Sequence, residues 1–372
     1  MNLSSDYSDP ILAERICQRI EELVAQINRP ISVMEVCGTH TVALRQSGVR
    51  SLLPPEIRLI SGPGCPVCVT PTGYIDNALL MLREKGCVIV SFGDMLKVPG
   101  RDGETLGSHT GSGLVRMVYS PKEVLAIARS TEKPVVFLGI GFETTIPPVM
   151  SAILQGDREG LDNLFLYSAF KTVPPALQAL LADPNNSLDG FLLPGHVSVV
   201  IGRKAYRFLE EDRGLPSAIT GFEPIDMLLG IAAVLARIAN NERRVDNVYL
   251  RAVREEGNRI AQALLDESLE PSDDPWRGLG TIPGGGLKLK DRLKNLDAVH
   301  RFELGTVEAY DQPGCRCGEV IQGRLTPPEC ALFGTVCTPD TPSGPCMVSS
   351  EGTCAAYLRF GNEAKVPAPA GR

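Results

Sequence analysis

The stretch Ser61-Gly-Pro-Gly-Cys65-Pro-Val-Cys68-Val-Thr70 places two thiols at Cys-x-x-Cys spacing between a short apolar run and a helical pattern. Residues 57–60 read as a buried strand. Residues 70–85 read as a helix with Thr70 as N-cap, Pro71 in the first turn and Gly86 as the stop. Both sulfurs therefore fall on a strand-to-helix turn, where the helix N-terminus favours thiolate over thiol. Two cysteines so spaced can close a small disulfide ring or share one metal ion. A structural zinc knuckle needs four ligands, and no second Cys-x-x-Cys follows nearby. Redox or metal handling is thus preferred over a zinc knuckle or an inert buried pair.

The same strand–loop–helix plan recurs along the chain. Residues 9–27 carry apolar positions at helical period and Pro30 ends that helix. A strand at 31–36 leads into Cys37-Gly-Thr39-His40-Thr41, and one at 87–92 into Gly93-Asp94. A fourth, at 114–119, precedes Ser120-Pro-Lys-Glu123, which has capping-box spacing. Strands at 134–138, 164–167 and 190–193 then open into Gly139-Ile-Gly141-Phe-Glu143-Thr144-Thr145, Ser168-Ala-Phe-Lys171 and Pro194-Gly-His196-Val197. Alternation of this kind predicts α/β architecture with functional loops at the carboxyl ends of parallel strands. A faint echo between the two blocks points to two similar parallel-sheet domains facing a cleft. The expected division is an N-terminal helix (1–30) packing on the last domain, α/β domains at 31–131 and 132–223, and a mixed helical and loop-rich domain at 224–372. Within the last, 248–269 reads as a long amphipathic helix and 271–286, rich in proline and glycine, as loop. Thr144 occupies the third glycine position of a dinucleotide fingerprint, so Gly139 and Gly141 are read as close backbone packing. Thr39, Thr41, Asp94, Glu143, Thr144, Thr145 and His196 are expected to line the cleft.

The chain has 372 residues and a formal charge of −7, with no basic run, which argues against nucleic-acid binding. No apolar stretch approaches the length of a membrane span, and residues 1–9 are polar, without a signal-peptide core. A cytoplasmic location is expected, where thiols stay reduced. There, eleven cysteines point to metal or redox chemistry rather than a disulfide framework. Six of them (Cys315, Cys317, Cys330, Cys337, Cys346 and Cys354) crowd a proline- and glycine-dense segment with little helix or strand signal. Such a segment needs a metal or cluster as its core. The spacing is wider than ferredoxin or paired zinc-knuckle patterns and does not by itself choose the metal, although spare thiols favour iron–sulfur over zinc. Cys37 stands alone on its turn as a nucleophile or metal ligand, with His40 either tuning it or merely bonding the loop. Cys17 and Cys87 lie within regular elements and read as structural. His109 reads as part of a flexible loop at 107–113, and the tail after Gly361 as disordered.

Six segments occur in one order over nearly the whole chain: Cys37-Gly-Thr-His-Thr41, Gly62-Pro-Gly-Cys-Pro-Val-Cys68, Phe92-Gly-Asp-Met-Leu96, Gly139-Ile-Gly-Phe-Glu-Thr-Thr145, Pro194-Gly-His-Val197 and Gly344-Pro-Cys-Met-Val-Ser-Ser-Glu-Gly352. Together they resemble the HypD family of hydrogenase maturation proteins. The resemblance implies a scaffold for assembling the iron, cyanide and carbon monoxide part of a nickel–iron hydrogenase active site. It implies two α/β domains flanking a cleft and a third domain carrying a [4Fe-4S] cluster. The family's ligand spacing of 14, 6 and 16 intervening residues selects Cys315, Cys330, Cys337 and Cys354, leaving Cys317 and Cys346 as substitutes. By the same resemblance Cys37 ligates the iron, shared with a small HypC-type partner. Cys65 and Cys68 form a redox pair, a HypE-type partner donates cyanide, and the hydrogenase large subunit is served indirectly. Two other functions stay open: a cluster-dependent thiol–disulfide oxidoreductase and a zinc-stabilised binding module.

Overall fold

Strand pairing divides the chain between two sheets, each of which it enters twice. The computed structural model describes residues 9–184, 186–211 and 214–361, so the tail expected to be disordered lies outside the described residues. Strands are numbered in chain order. β1 (Ile31–Glu35), β2 (Ile57–Ser61), β7 (Gly190–Pro194), β8 (Ser217–Thr220) and β9 (Val245–Asn247) make a parallel sheet in the order β2-β1-β7-β8-β9. β3 (Val88–Ser91), β4 (Val115–Met117), β5 (Val135–Gly141), β6 (Leu164–Lys171), β10 (Leu269–Trp276) and β11 (Gly280–Leu289) make a mixed sheet, β10-β11-β6-β5-β3-β4. The α/β class and its two sheets are as expected. The boundary between 131 and 132 is not where the sheets divide: β1 and β2 pair with β7, while β3 joins β5 and β4. Local patterns identify a buried strand but not its partner, which is fixed by burial between distant segments.

The period of two along β1 assigns its side chains to two cores. Ile31 and Val33 face a cluster formed with the helices Pro10–Ile27 and Pro224–Ala239, whereas Met34 and Val36 face a central cluster that also holds Cys65, Cys68, Cys317 and Cys346. The N-terminal helix starts at Asp9, whose carboxylate accepts the Ile11 N–H at 2.9 Å, and buries Ile16, Ile20, Leu23 and Val24. Among the described residues no helix is long and apolar enough to cross a membrane.

Three local expectations are corrected. The helix expected at 248–269 is confined to Arg259–Ser268. The loop expected at 271–286 is instead the β10–β11 hairpin, packed antiparallel on β6. The two prolines of β10, Pro271 and Pro275, are tolerated because β10 is the edge strand, where a missing N–H breaks little of the ladder. The loop expected around His109 is coiled into 3₁₀ turns at Leu106–Ser112, with His109 bonded to Glu104.

Lys171 fastens the hairpin: its buried ammonium meets the Asp274 carboxylate and donates to Pro275 O at 2.9 Å. Lys171→Ala removes both contacts and leaves the Asp274 carboxylate, itself 29% exposed, without its cation, which is expected to cost about 2 kcal/mol of stability. Urea unfolding checks this, and a loss below about 1 kcal/mol would show that the hairpin is held by its apolar contacts alone.

Candidate thiol and metal site

Among the parallel strands of each sheet the direction of strand addition reverses once, and the loops leaving that crevice carry the expected site residues. In the parallel sheet the reversal lies between β1 and β7, from which Cys37 and His196 emerge. In the mixed sheet it lies between β3 and β5, from which Asp94 and Glu143 emerge. Crevices of this kind are where open α/β sheets bind ligands.

Cys37 is the N-cap of the helix Gly38–Gln46 and only 8% exposed. Burial, reinforced by the nearby Glu351 carboxylate, pushes its thiol up to about 11, while hydrogen bonds from the His40 and Thr39 backbone and the Thr39 side chain pull the other way. The thiol is therefore neutral at pH 7 but surrounded by donors suited to a thiolate. Thr39 also donates to Glu351 at 2.7 Å. The His40 ring is engaged away from the sulfur. The buried ring lies against Gly221 O (3.0 Å from Nε2) and stacks on Phe222, and burial lowers its pKa to about 4. Phe222 also stacks on His196, with ring centroids 3.9 Å apart. Thr41 is buried and donates to Ser61, which donates to Glu35.

Cys65 and Cys68 are joined in a disulfide, at 4% and 2% exposure. The expected single helix from Thr70 is two: Pro66–Val69, capped by the Cys65 sulfur receiving the Cys68 N–H, and Thr72–Glu84. Thr70 closes the first rather than opening the second, its hydroxyl donating to Pro66 O at 2.8 Å. The disulfide lies where the chain crosses from one sheet to the other. On one side Gly64 meets Cys37; on the other, the Cys68 sulfur is 3.8 Å from Pro345 O, beside Cys346.

All six C-terminal cysteines line one recess, with Arg316, Val320, Leu332, Phe333, Gly344 and Met347 completing its wall. Cys317 and Cys346 form its deep wall toward the disulfide, at 3% and 1% exposure. Cys315 donates to Cys317, and that bond, then burial, drives its pKa far up. Burial raises Cys354 strongly, and repulsion from Cys317, Cys337, Cys315 and Cys330 adds to it. Among the described residues no three His, Cys, Asp or Glu side chains converge as a single-ion site. The six thiols ring a space instead, a soft-donor set with more ligands than a lone zinc ion needs and enough for a cluster.

The sequence pattern described as "HypD: Hydrogenase formation hypA family" matches residues 11–361. The chain belongs to the HypD family. It is similar to the hydrogenase maturation factor HypD of Rhodobacter capsulatus, at 41% identity over 97% of this chain and 98% of that one. It is 39% identical to the HypD of Escherichia coli K12, over 94% of each chain. It is 38% identical to the hydrogenase expression/formation protein HupD of Azotobacter chroococcum, over 98% of each.

The remaining expected residues of this HypD chain take different parts. Asp94 accepts hydrogen bonds from Ser349 (3.1 Å) and Ser350 (3.2 Å), tying the mixed sheet to the segment that carries Glu351. Thr144 is exposed, and Thr145 packs on Gly141, where a Cβ would come within 2.4 Å of it. Glu143 is 3% exposed: one oxygen receives the Val173 N–H at 2.9 Å and the other has no partner. Sequence reading overlooked Glu351, although it lies in the quoted Gly344–Gly352 segment. It also overlooked Phe222 and Arg277, whose significance comes from contacts distant in sequence.

Burial raises Glu143 from 4.5 to about 7. Its ionisation thus disfavours the folded state: stability is highest below pH 4.5 and falls as pH rises through 7. Glu143→Gln keeps an acceptor for Val173 and is expected to gain up to about 3 kcal/mol at pH 8, with no gain near pH 4. Denaturant melts at both pH values check this, and an equal effect at each would refute a buried ionisation. For His40, the ring proton resonances are expected to stay flat from about pH 5.5 to 8. A titration centred near 6.5 would restore the imidazole as a tuning group for Cys37.

Proposed function

We propose that this chain is a scaffold and redox protein that holds the iron to be dressed with cyanide and carbon monoxide during maturation of a nickel–iron hydrogenase. Family membership supports the maturation role. The observation that carries the finer reading is the contact sequence Cys37–Gly64, Cys65–Cys68, Pro345–Cys346, which lines up an isolated thiol, a disulfide and a six-thiol recess. As a soft metal ion binds its sulfur, Cys37 releases its proton to solvent, and the helix-start backbone of Thr39 and His40 favours the resulting thiolate. A cysteine of a HypC-type partner completes the protein thiolates on this iron, which is cargo, and a HypE-type partner brings cyanide. The loaded iron passes on toward the hydrogenase large subunit.

Cys315, Cys330, Cys337 and Cys354 would hold a [4Fe-4S] cluster, with Cys317 and Cys346 behind them. A cluster there supplies electrons singly. Cys65 and Cys68 take up two electrons and two protons as their S–S bond breaks into two thiols, and return both when it re-forms. The free thiols suit a reducing compartment such as the cytoplasm.

The test is an infrared spectrum of the anaerobically purified chain, co-expressed with its small partner. Cyanide and carbon monoxide stretching bands are expected, and Cys37→Ala should remove them while leaving the brown colour. Bands that persist in Cys37→Ala would reject Cys37 as the iron ligand. A brown complex with no bands at all would favour the thiol–disulfide oxidoreductase, for which the disulfide beside the recess is equally apt. A colourless zinc protein would overturn both.

A further inference from the structure

Between the disulfide and the recess lies a segment tied to both, Trp276-Arg277-Gly278. The Arg277 N–H donates to Val69 O at 2.8 Å, one residue after Cys68. Its guanidinium donates to Thr70 O (3.2 Å), Thr72 Oγ1 (2.5 Å) and Tyr310 O (3.0 Å), and pairs with Asp311 at 2.5 Å. On the other side Gly278, at φ +79°, lies flat against Gly318, the neighbour of Cys317: a Cβ there would come within 2.5 Å of Gly318 O. No residue with a side chain fits this wedge, so Arg277 is held between the two thiol groups.

The Arg277 side chain is 4% exposed, and its Nε has no hydrogen-bond partner. Among the described residues its one paired carboxylate is Asp311, whose side chain is 33% exposed. A cation buried this deeply is retained at a cost that its packing alone does not offset. The Gly278–Gly318 contact sets the residue after Arg277 against the residue after Cys317, so the backbone that carries the guanidinium is anchored at the wall of the recess, where solvent screens its charge poorly.

We propose that Arg277 is a positioning residue that stabilises negative charge arriving in the cysteine recess, and so raises the reduction potential of the redox centre held there. An added electron that brings no proton leaves one extra negative charge in a poorly screened interior, where a nearby guanidinium favours it. The inference rests on the recess being a cluster site. It also assigns a sign to each member of the ion pair: removing Arg277 and removing Asp311 must act oppositely.

The experiment is a redox titration of the reconstituted full-length chain followed by electron paramagnetic resonance, with iron content and thermal melts recorded for every variant. Arg277→Gln is expected to make reduction at least tenfold less favourable, a shift of about 59 mV to lower potential for a one-electron couple. Arg277→Lys should stay within threefold of the parent, and Asp311→Asn should move to higher potential. If Arg277→Gln fails to fold, the other two decide, because Asp311→Asn keeps the guanidinium. Shifts of one sign in all variants, or none in any, would make Arg277 a mechanical tether and overturn the proposal while leaving the cluster reading intact. A parent chain with no reducible iron–sulfur signal would overturn the cluster reading itself, and this inference with it.

Discussion

The backbone of Gly64 runs directly against that of Cys37: a Cβ at residue 64 would sit 2.4 Å from the Cys37 N and Cα. A second contact of the same kind lies one residue on, where a Cβ on Gly38 would fall 2.5 Å from Glu351 O. Three loops from distant parts of the chain, at 37–41, 62–68 and 344–352, can meet because two of them lack side chains at the crossing points. The hydrogen bond from Gly38 N–H to Gly64 O at 3.0 Å then fixes their register. Without this approach the Cys37 thiol and the disulfide would belong to separate surfaces. With it they share one buried wall.

The location of the disulfide follows from the same economy of space. The chain leaves the parallel sheet at β2 and enters the mixed sheet at β3, and the segment between them must pass the crevice on which both sheets open. The short helix Pro66–Val69 makes that passage, with its sulfurs in the central cluster beside Phe142, Trp276, Cys317 and Cys346. The helix Thr72–Glu84 then carries the chain onto the mixed sheet, burying Tyr74, Ile75 and Leu79. Splitting one expected helix into two is what turns the thiols inward.

Much of this was legible locally. Strands, the loops after them and the glycine-lined turns follow from period and turn chemistry within a few residues. Cys37, Cys65, Asp94, Glu143 and His196 could therefore be placed on strand-end loops before any pairing was known. What was not legible depends on partners far away. β1 gives no sign that it pairs with β7, and the prolines of β10 mark an edge only once β11 lies beside them. Glu351 and Arg277 carry no motif of their own. Their weight comes from Thr39, Val69 and Asp311, from 34 to 312 positions distant.

The charge state of the site gives the arrangement a common logic. Burial keeps the Cys37 thiol protonated and the His40 ring neutral, and it holds Glu143 near its midpoint at pH 7. Burial and thiol contacts keep Cys315 and Cys354 protonated as well. A neutral interior of this kind tolerates burial without counter-ions, since an unpaired charge in the same place would cost several kcal/mol. The groups that stay neutral are also the ones that a soft cation or an electron would alter. The helix start at Cys37, and a guanidinium already fixed beside the recess wall, would stabilise the resulting negative charge with no rearrangement of the fold. On the proposed scaffold role, a Cys37 thiol kept uncharged at rest and stabilised once charged suits an iron that is loaded and released, whereas the recess suits a group that stays.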